Sequence, residues 1–82
     1  MMNMNVSDIR SLSSLSRGDA GEIIQVSGKP EIHRYLCSKG LTIGRTISVD
    51  DARTDACFTV QSGNMISTID NDMARNIKVR VS

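Results

Sequence analysis

The stretch "CSKGLTIGRTISV", Cys37 to Val49, decides the fold, because two glycines four residues apart lead into an alternating run of polar and apolar residues. Closely spaced glycines can form a phosphate-binding loop, but such a loop leads into the N-terminus of a helix. Here the helical pattern comes before the first glycine, between Glu31 and Lys39, where apolar residues recur at i, i+3 and i+4 as Ile32, Tyr35 and Leu36. We therefore predict that a helix starts near Pro30 and ends at Gly40 in the left-handed conformation, and that the chain binds no nucleotide.

The second glycine precedes a strand. Gly44 is predicted to form a turn, and Ile47 and Val49 then alternate with polar residues as in a half-buried strand. Leu41 can fold back on the helix as the apolar contact that accompanies a glycine cap. The pattern predicts further strands at Glu22 to Ser27, "CFTVQS", "MISTI" and "IKVRVS". A hairpin turn is predicted at Gly63-Asn64 and a polar loop from Asp50 to Ala56. A helical turn capped by Asp70 or Asn71 is predicted before the last strand.

About five short strands, one helix after the first strand and a helical turn before the last are too few for a sandwich. They most economically close into a small SH3-like β-barrel in which the last strand pairs with the first. We predict a mainly β domain over residues 12–82 behind a flexible N-terminal segment, residues 1–11. The leucine pair Leu12 and Leu15 is expected on a short helical turn at the start of the domain.

Composition excludes several classes of function. The chain has 82 residues, 39% apolar and 2% aromatic, with ten Lys and Arg against nine Asp and Glu. Without a basic run or stacking aromatics, binding to nucleic acid is not expected. No apolar stretch is long enough to span a bilayer and no signal peptide is present, so a cytoplasmic location without membrane insertion is expected. No nucleophile has a partnered base, which argues against an enzyme.

Metal binding has a limited set of candidates. Cys37 and Cys57 are expected to be small buried residues rather than a disulfide, given the predicted cytosolic location. His33 and Cys37 are four apart on the predicted helix and could hold one ion together, but a structural zinc site usually needs four ligands. The alternative is a histidine at the solvent edge beside a buried thiol. Acidic residues Asp50, Asp51 and Asp55 could contact a hard cation, although a charged loop is usually only solvated. We predict no cofactor and no metal.

The residues resemble the FeoA family, small cytosolic proteins of bacterial ferrous iron uptake. The most specific match is a helix followed by Gly40, Leu41, Thr42, Ile43 and Gly44, where the family usually has Gly-Leu-Thr-Pro-Gly. Leu12, Leu15 and Gly18 match its opening motif, and Ala74 and Ile77 its ending. The chain departs from the family pattern in four places. Ile43 replaces a proline, and Lys39 stands where an apolar residue is common. The proline usual before the central strand is absent around Ala56, and the spacing from Gly63 to Ala74 is one residue longer than usual.

The resemblance implies an SH3-like fold and a non-enzymatic accessory role, with docking on the cytosolic part of FeoB, a membrane GTPase that carries ferrous iron. Similar domains form the C-terminal part of iron-dependent repressors, so a free-standing regulatory module that binds another protein is the alternative. The helix and its exit loop form the most distinctive surface. We predict Tyr35 and Leu41 as partner-binding anchors, although either could instead be a core residue, and the oligomeric state is left open.

Overall fold

The computed structural model describes residues 8–52 and 57–81 of the chain. Its helices are α1, Pro30–Ser38, and α2, Asn71–Arg75, and a 3-10 helix spans Leu12–Ser14. The strands are β1 Asp8–Ser11, β2 Ala20–Val26, β3 Thr46–Ala52, β4 Cys57–Ser62, β5 Met65–Asp70 and β6 Ile77–Val81. The mainly β fold is therefore confirmed, with α1 between the first two strands of the predicted set and α2 before the last strand.

Within the described residues, the strands form one antiparallel sheet in the order β1-β6-β2-β3-β4-β5. The last strand pairs with β2, as predicted, and Ile23 lies opposite Val79. A two-residue turn joins β4 to β5 and sets Ser62 opposite Met65, which confirms the predicted hairpin. The sheet thus has β1 and β5 at its two ends, rather than the ring of paired strands that a closed barrel would have.

One face of the sheet curves around the core. Alternate residues of the strands point inward, as the period of two requires. The helices, the 3-10 helix and the residues that directly follow them cover the same interior with Leu12, Leu15, Leu36, Leu41 and Ala74. The strand residues of the core are Ile23, Ile47, Val49, Phe58, Val60, Ile69, Ile77 and Val79. Branched aliphatic side chains therefore fill nearly all of the interior, with Phe58 as its aromatic residue.

Helix α2 begins at the predicted cap. The carboxylate of Asp70 accepts a hydrogen bond from the backbone N–H of Met73 at 2.8 Å. This bond satisfies one of the free amide groups at the start of the helix. Asp70, not Asn71, is therefore the N-cap.

Two predictions about the strands are wrong. Residues 8–11 form β1 and pair with β6, although no alternating pattern marks them, because β1 is an edge strand whose side chains are mostly exposed. Asp50 and Asp51 belong to β3, which continues beyond Val49 after an irregularity in its pairing with β4. The remainder of the predicted loop, including Asp55 and Ala56, and residues 1–7 of the predicted flexible segment lie outside the described residues.

Candidate functional site

Helix α1 ends in a glycine cap at Gly40. The backbone N–H of Gly40 donates to the carbonyl of Cys37 at 3.0 Å, and the N–H of Leu41 donates to the carbonyl of Leu36 at 2.9 Å. This pair of bonds is the Schellman motif, which requires a positive φ at its glycine, and Gly40 has φ 78°. Leu36 and Leu41 belong to the same core cluster, so the predicted helix stop and its apolar contact are confirmed.

The chain turns a second time at Gly44. The N–H of Arg45 donates to the carbonyl of Thr42 at 3.1 Å, and Gly44 has φ 96°, the arrangement of a type II turn. Ile43 occupies the second position of this turn, where proline is favoured, and it is 64% exposed. Bonds between Ile23 of β2 and residues Gly44 and Arg45, both 2.8 Å, then fasten the turn to the sheet. The exit loop of α1 is therefore a fixed part of the fold.

Two buried serines of the β4–β5 hairpin bind the end of α1. Ser62 is 1% exposed, and its hydroxyl donates to the carbonyl of Gly40 at 3.1 Å while it accepts from Nε of Arg45 at 3.2 Å. The hydroxyl of Ser67 donates to the carbonyl of Lys39 at a longer 3.4 Å. Carbonyls at a helix end lack partners within the helix, and these two hydroxyls supply hydrogen-bond donors to carbonyls at the end of α1.

Four side chains surround this junction and form what we call the helix-exit surface: Tyr35, Lys39, Arg45 and Met65. The ammonium of Lys39 lies over the Tyr35 ring, 5.1 Å from its centroid, within the range of a cation–π contact. A methyl group placed on Gly40 would lie 3.0 Å from the Met65 sulfur and 3.4 Å from Nη2 of Arg45, so both side chains end beside the glycine. Tyr35 is 41% and Met65 42% exposed.

The opposite flank of α1 carries a different group of side chains. At 3.6 residues per turn, Tyr35 lies about 200° around the helix from His33, whereas Cys37 lies only about 40° from His33. His33 and Cys37 are exposed and line a groove of about 340 Å³, together with Val26, Leu41, Thr42 and Ile43. The helix thus separates an aromatic and basic flank from a flank that carries imidazole and thiol groups.

The structure corrects two predictions about individual residues. Leu41 is 1% exposed and packs in the core, so the core role that the sequence left open for it is the one observed, and we no longer propose it as a partner-binding anchor. Cys37 is exposed, not a buried thiol, because the core side of α1 is filled by Leu36 and partly by Ile32, which lie on another face. Cys57 is partly buried, and neither cysteine forms a disulfide. Tyr35 remains a candidate anchor, because it belongs to the helix-exit surface.

Sequence reasoning missed Met65, Arg45 and the serines beneath them. The hairpin signal at Gly63-Asn64 places Met65 at the start of a strand, but nothing in the sequence indicates that this strand packs beside the end of α1. In the described part of the chain, no three side chains of His, Cys, Asp or Glu lie close enough together to hold a metal ion. None of the described helices is long and apolar enough to cross a membrane.

The six-stranded antiparallel sheet with two short helices defines a small SH3-like domain. Residues 10–81 match the FeoA domain, and the chain belongs to the FeoA family. No curated protein shows significant sequence similarity to it.

Solved structures agree with this assignment. A crystal structure of an iron uptake regulatory protein, FeoA, is 27% identical with a TM-score of 0.88, over 92% of this chain and 100% of that chain. The solution structure of FeoA from Chlorobium tepidum is 28% identical with a TM-score of 0.76, over 88% of this chain and 70% of that one. A manganese-dependent transcriptional repressor, 22% identical, shares the fold with a TM-score of 0.85 over 94% of this chain but only 44% of its own length.

Proposed function

We propose that the protein is a non-enzymatic accessory protein of bacterial ferrous iron uptake that docks on the cytosolic part of a FeoB-type membrane GTPase. Membership of the FeoA family supports the link to iron uptake. A similar structure over nearly the whole chain is that of an iron uptake regulatory protein, which supports the same role. Docking on the GTPase is what the family resemblance implies for a domain of this kind.

The helix-exit surface is the observation that carries the docking proposal. Tyr, Met and Arg are residue types enriched at protein interfaces, and Tyr and Arg are frequent hot spots of binding. Tyr35, Arg45 and Met65 present all three types beside one junction. The backbone beneath them is held by the glycine cap and the Ser62 hydrogen bonds, so little backbone conformational entropy is lost when a partner binds.

Charge indicates what kind of partner surface fits. Lys39 and Arg45 contribute two positive charges to the helix-exit surface, whose other members are Tyr35 and Met65. An acidic patch around an apolar pocket for Tyr35 or Met65 would be complementary to it. We therefore expect the contact on the GTPase to be acidic at its rim.

Titration calorimetry between the full-length protein and the purified cytosolic domain of the transporter tests the proposal. Tyr35→Ala and Met65→Ala should each weaken binding by at least tenfold, since truncation of an interface anchor costs about 2 kcal/mol or more. The melting temperatures should remain close to that of the parent protein, because both side chains are about two-fifths exposed.

Ile66→Ala is the matched control. Ile66 is the neighbour of Met65 in β5, is 64% exposed, and points to the opposite face of the sheet. Its truncation should leave the affinity unchanged. Equal losses in all three variants, or unchanged binding in Tyr35→Ala and Met65→Ala, would refute the proposed surface.

A second candidate is a free-standing regulatory module that binds a protein other than the transporter. The fold likeness to a manganese-dependent repressor favours it, because there the matching part is less than half of a longer chain. The two candidates differ in their partner. A gene for a large GTPase membrane protein beside the gene for this chain, together with binding in the calorimeter, would support the first candidate.

A further inference from the structure

Strand β5, Met65–Asp70, is one end of the sheet that the described residues form, and β4 is its paired strand there. In an antiparallel pair, the backbone groups of one residue point to the partner strand and those of the next point away from it. Ser62 and Met65 flank the two-residue turn and therefore face each other with their hydrogen-bonding groups. It follows that the N–H and C=O groups of Ile66 and Thr68 point to the open side of β5.

The edge of β5 lacks the features with which proteins usually prevent such a strand from pairing. Protected edge strands are very short, are bulged, or carry charges or proline. β5 has six residues, its register with β4 contains no shift, and residues 65–69 include neither a charge nor a proline. The other end strand, β1, has four residues and carries an ion pair, with Nε of Arg10 2.9 Å from Oδ2 of Asp8. Of the two ends, β5 is therefore the one suited to receive another strand.

The sequence of β5 is complementary to itself about a two-fold axis at Ser67. In that register Ile66 of one copy lies opposite Thr68 of the other, so the open N–H and C=O groups of both residues gain partners. The two side chains are β-branched and exposed, and they pack favourably as a cross-strand pair. An axis at Ile66 would place Thr68 opposite the turn, and an axis at Thr68 would place Ile66 opposite Asp70. The register about Ser67 therefore gives the most complete pairing.

We propose that two copies of the chain pair through β5, antiparallel about an axis at Ser67, and form a weak dimer with a continuous sheet across the contact. A two-fold contact of this kind uses the same surface on both copies and closes on itself, whereas β5 paired with β1 of another copy would extend into a filament. One strand from each copy buries little area, so the dimer forms at high protein concentration. The paired groups are backbone groups of β5, and the proposal does not depend on docking to the transporter.

Sedimentation equilibrium of the full-length protein, in EDTA and a reducing agent, tests the proposal. The mean mass should rise from that of a monomer to that of a dimer between micromolar and millimolar concentrations. EDTA and the reducing agent exclude a dimer bridged by a metal ion or a disulfide. In a mixture of isotope-labelled and unlabelled copies, intermolecular NOE contacts should join Ile66 of one copy to Thr68 of the other.

Two substitutions act on the edge itself. Thr68→Pro removes an N–H group that points away from β4, so the bonds within the hairpin remain while the contact between copies loses a donor. Ile66→Lys places a charge on the edge, as protected edge strands do. Each should weaken the association by about tenfold or more, since the loss applies to both copies. Ile66 is 64% exposed, so Ile66→Lys should melt close to the parent protein and keeps the test valid if Thr68→Pro folds poorly.

Gln61→Lys is the matched control. Gln61 lies opposite Ile66 on β4 and is exposed, so the substitution adds the same charge to the same face, one strand away from the edge. This variant should dimerise as the parent does. A chain that stays monomeric at every concentration, a dimer that is equally stable in Ile66→Lys, or an equal loss in Gln61→Lys would each overturn the proposal.

Discussion

At residue 21, the backbone of β2 lies so close to β6 that only glycine fits. A Cβ atom on Gly21 would lie 2.3 Å from the carbonyl oxygen of Arg80 and 2.6 Å from Cγ1 of Val79. The oxygen belongs to a paired strand and cannot move alone. We expect Gly21→Ala to lower the free energy of unfolding by about 3 kcal/mol, the upper end for overpacking.

Urea denaturation provides the measurement for Gly21→Ala, with Gly18→Ala as its control. Gly18 has φ 94° and open space where its Cβ would lie, so alanine there suffers backbone strain but no collision. Gly18→Ala should lower the free energy of unfolding by about 1–2 kcal/mol. A smaller loss of stability in Gly21→Ala than in Gly18→Ala would contradict the close approach of β2 to β6.

At Gly40 the constraint is the backbone conformation itself. Gly40→Val should destabilise the fold by roughly 1–3 kcal/mol, because a β-branched residue is strained at positive φ. The new Cβ would also lie 3.0 Å from the Met65 sulfur, so Met65 must shift. Gly44→Val is the comparison. Gly44 has a similar φ of 96°, but a Cβ atom placed on it would meet no atom within 4 Å. A thermal melt of Gly40→Val that matches the parent protein would rule out the glycine cap.

Single residues were predictable from sequence where the cause is local. A helical stripe followed by Gly-Leu is enough to predict a cap at Gly40, because the motif lies within consecutive residues. The exposure of Cys37 was not predictable in this way. On a helix of nine residues, the flank that meets the sheet depends on the docking of the whole helix, which the local pattern does not determine.

At the scale of elements, Ser62 links the hairpin to the end of α1. Ser62→Ala removes a buried donor to the Gly40 carbonyl and an acceptor for Arg45. We expect a loss of about 1–3 kcal/mol in stability, because the Gly40 carbonyl and Nε of Arg45 both lose their bond to this part-buried hydroxyl. Ser67→Ala is the matched change, and its longer bond of 3.4 Å predicts a smaller loss. Chemical denaturation would contradict the account if Ser67→Ala lowered the free energy of unfolding more than Ser62→Ala does.

Elements with strong local signals were predicted correctly, and those that depend on distant partners were not. The β4–β5 hairpin follows from its two-residue turn, and α1 from its stripe and its proline. Strand β1 has neither signal and exists through its pairing with β6, about seventy residues away in the chain. The extension of β3 beyond Val49 likewise depends on its partner, β4.

At the scale of the whole molecule, the proposed docking surface joins parts of the chain that are distant in sequence. Tyr35 and Lys39 come from α1, Arg45 from the exit loop, and Met65 from the hairpin. Only the sheet order and the serine hydrogen bonds bring them together. This is why the sequence indicates the helix and its loop as a candidate surface but does not reveal its members on β5.

An NMR titration of the ¹⁵N-labelled full-length protein with the cytosolic domain of the transporter tests the docking proposal most directly. It reports on every backbone amide without any substitution. We predict that the largest chemical-shift changes or losses of signal occur at residues 35–45 and 62–67, with little change along β1 and the outer face of β6. Changes concentrated on β1 and β6, or no changes at saturating concentrations of the domain, would contradict the proposal that the helix-exit surface binds the transporter.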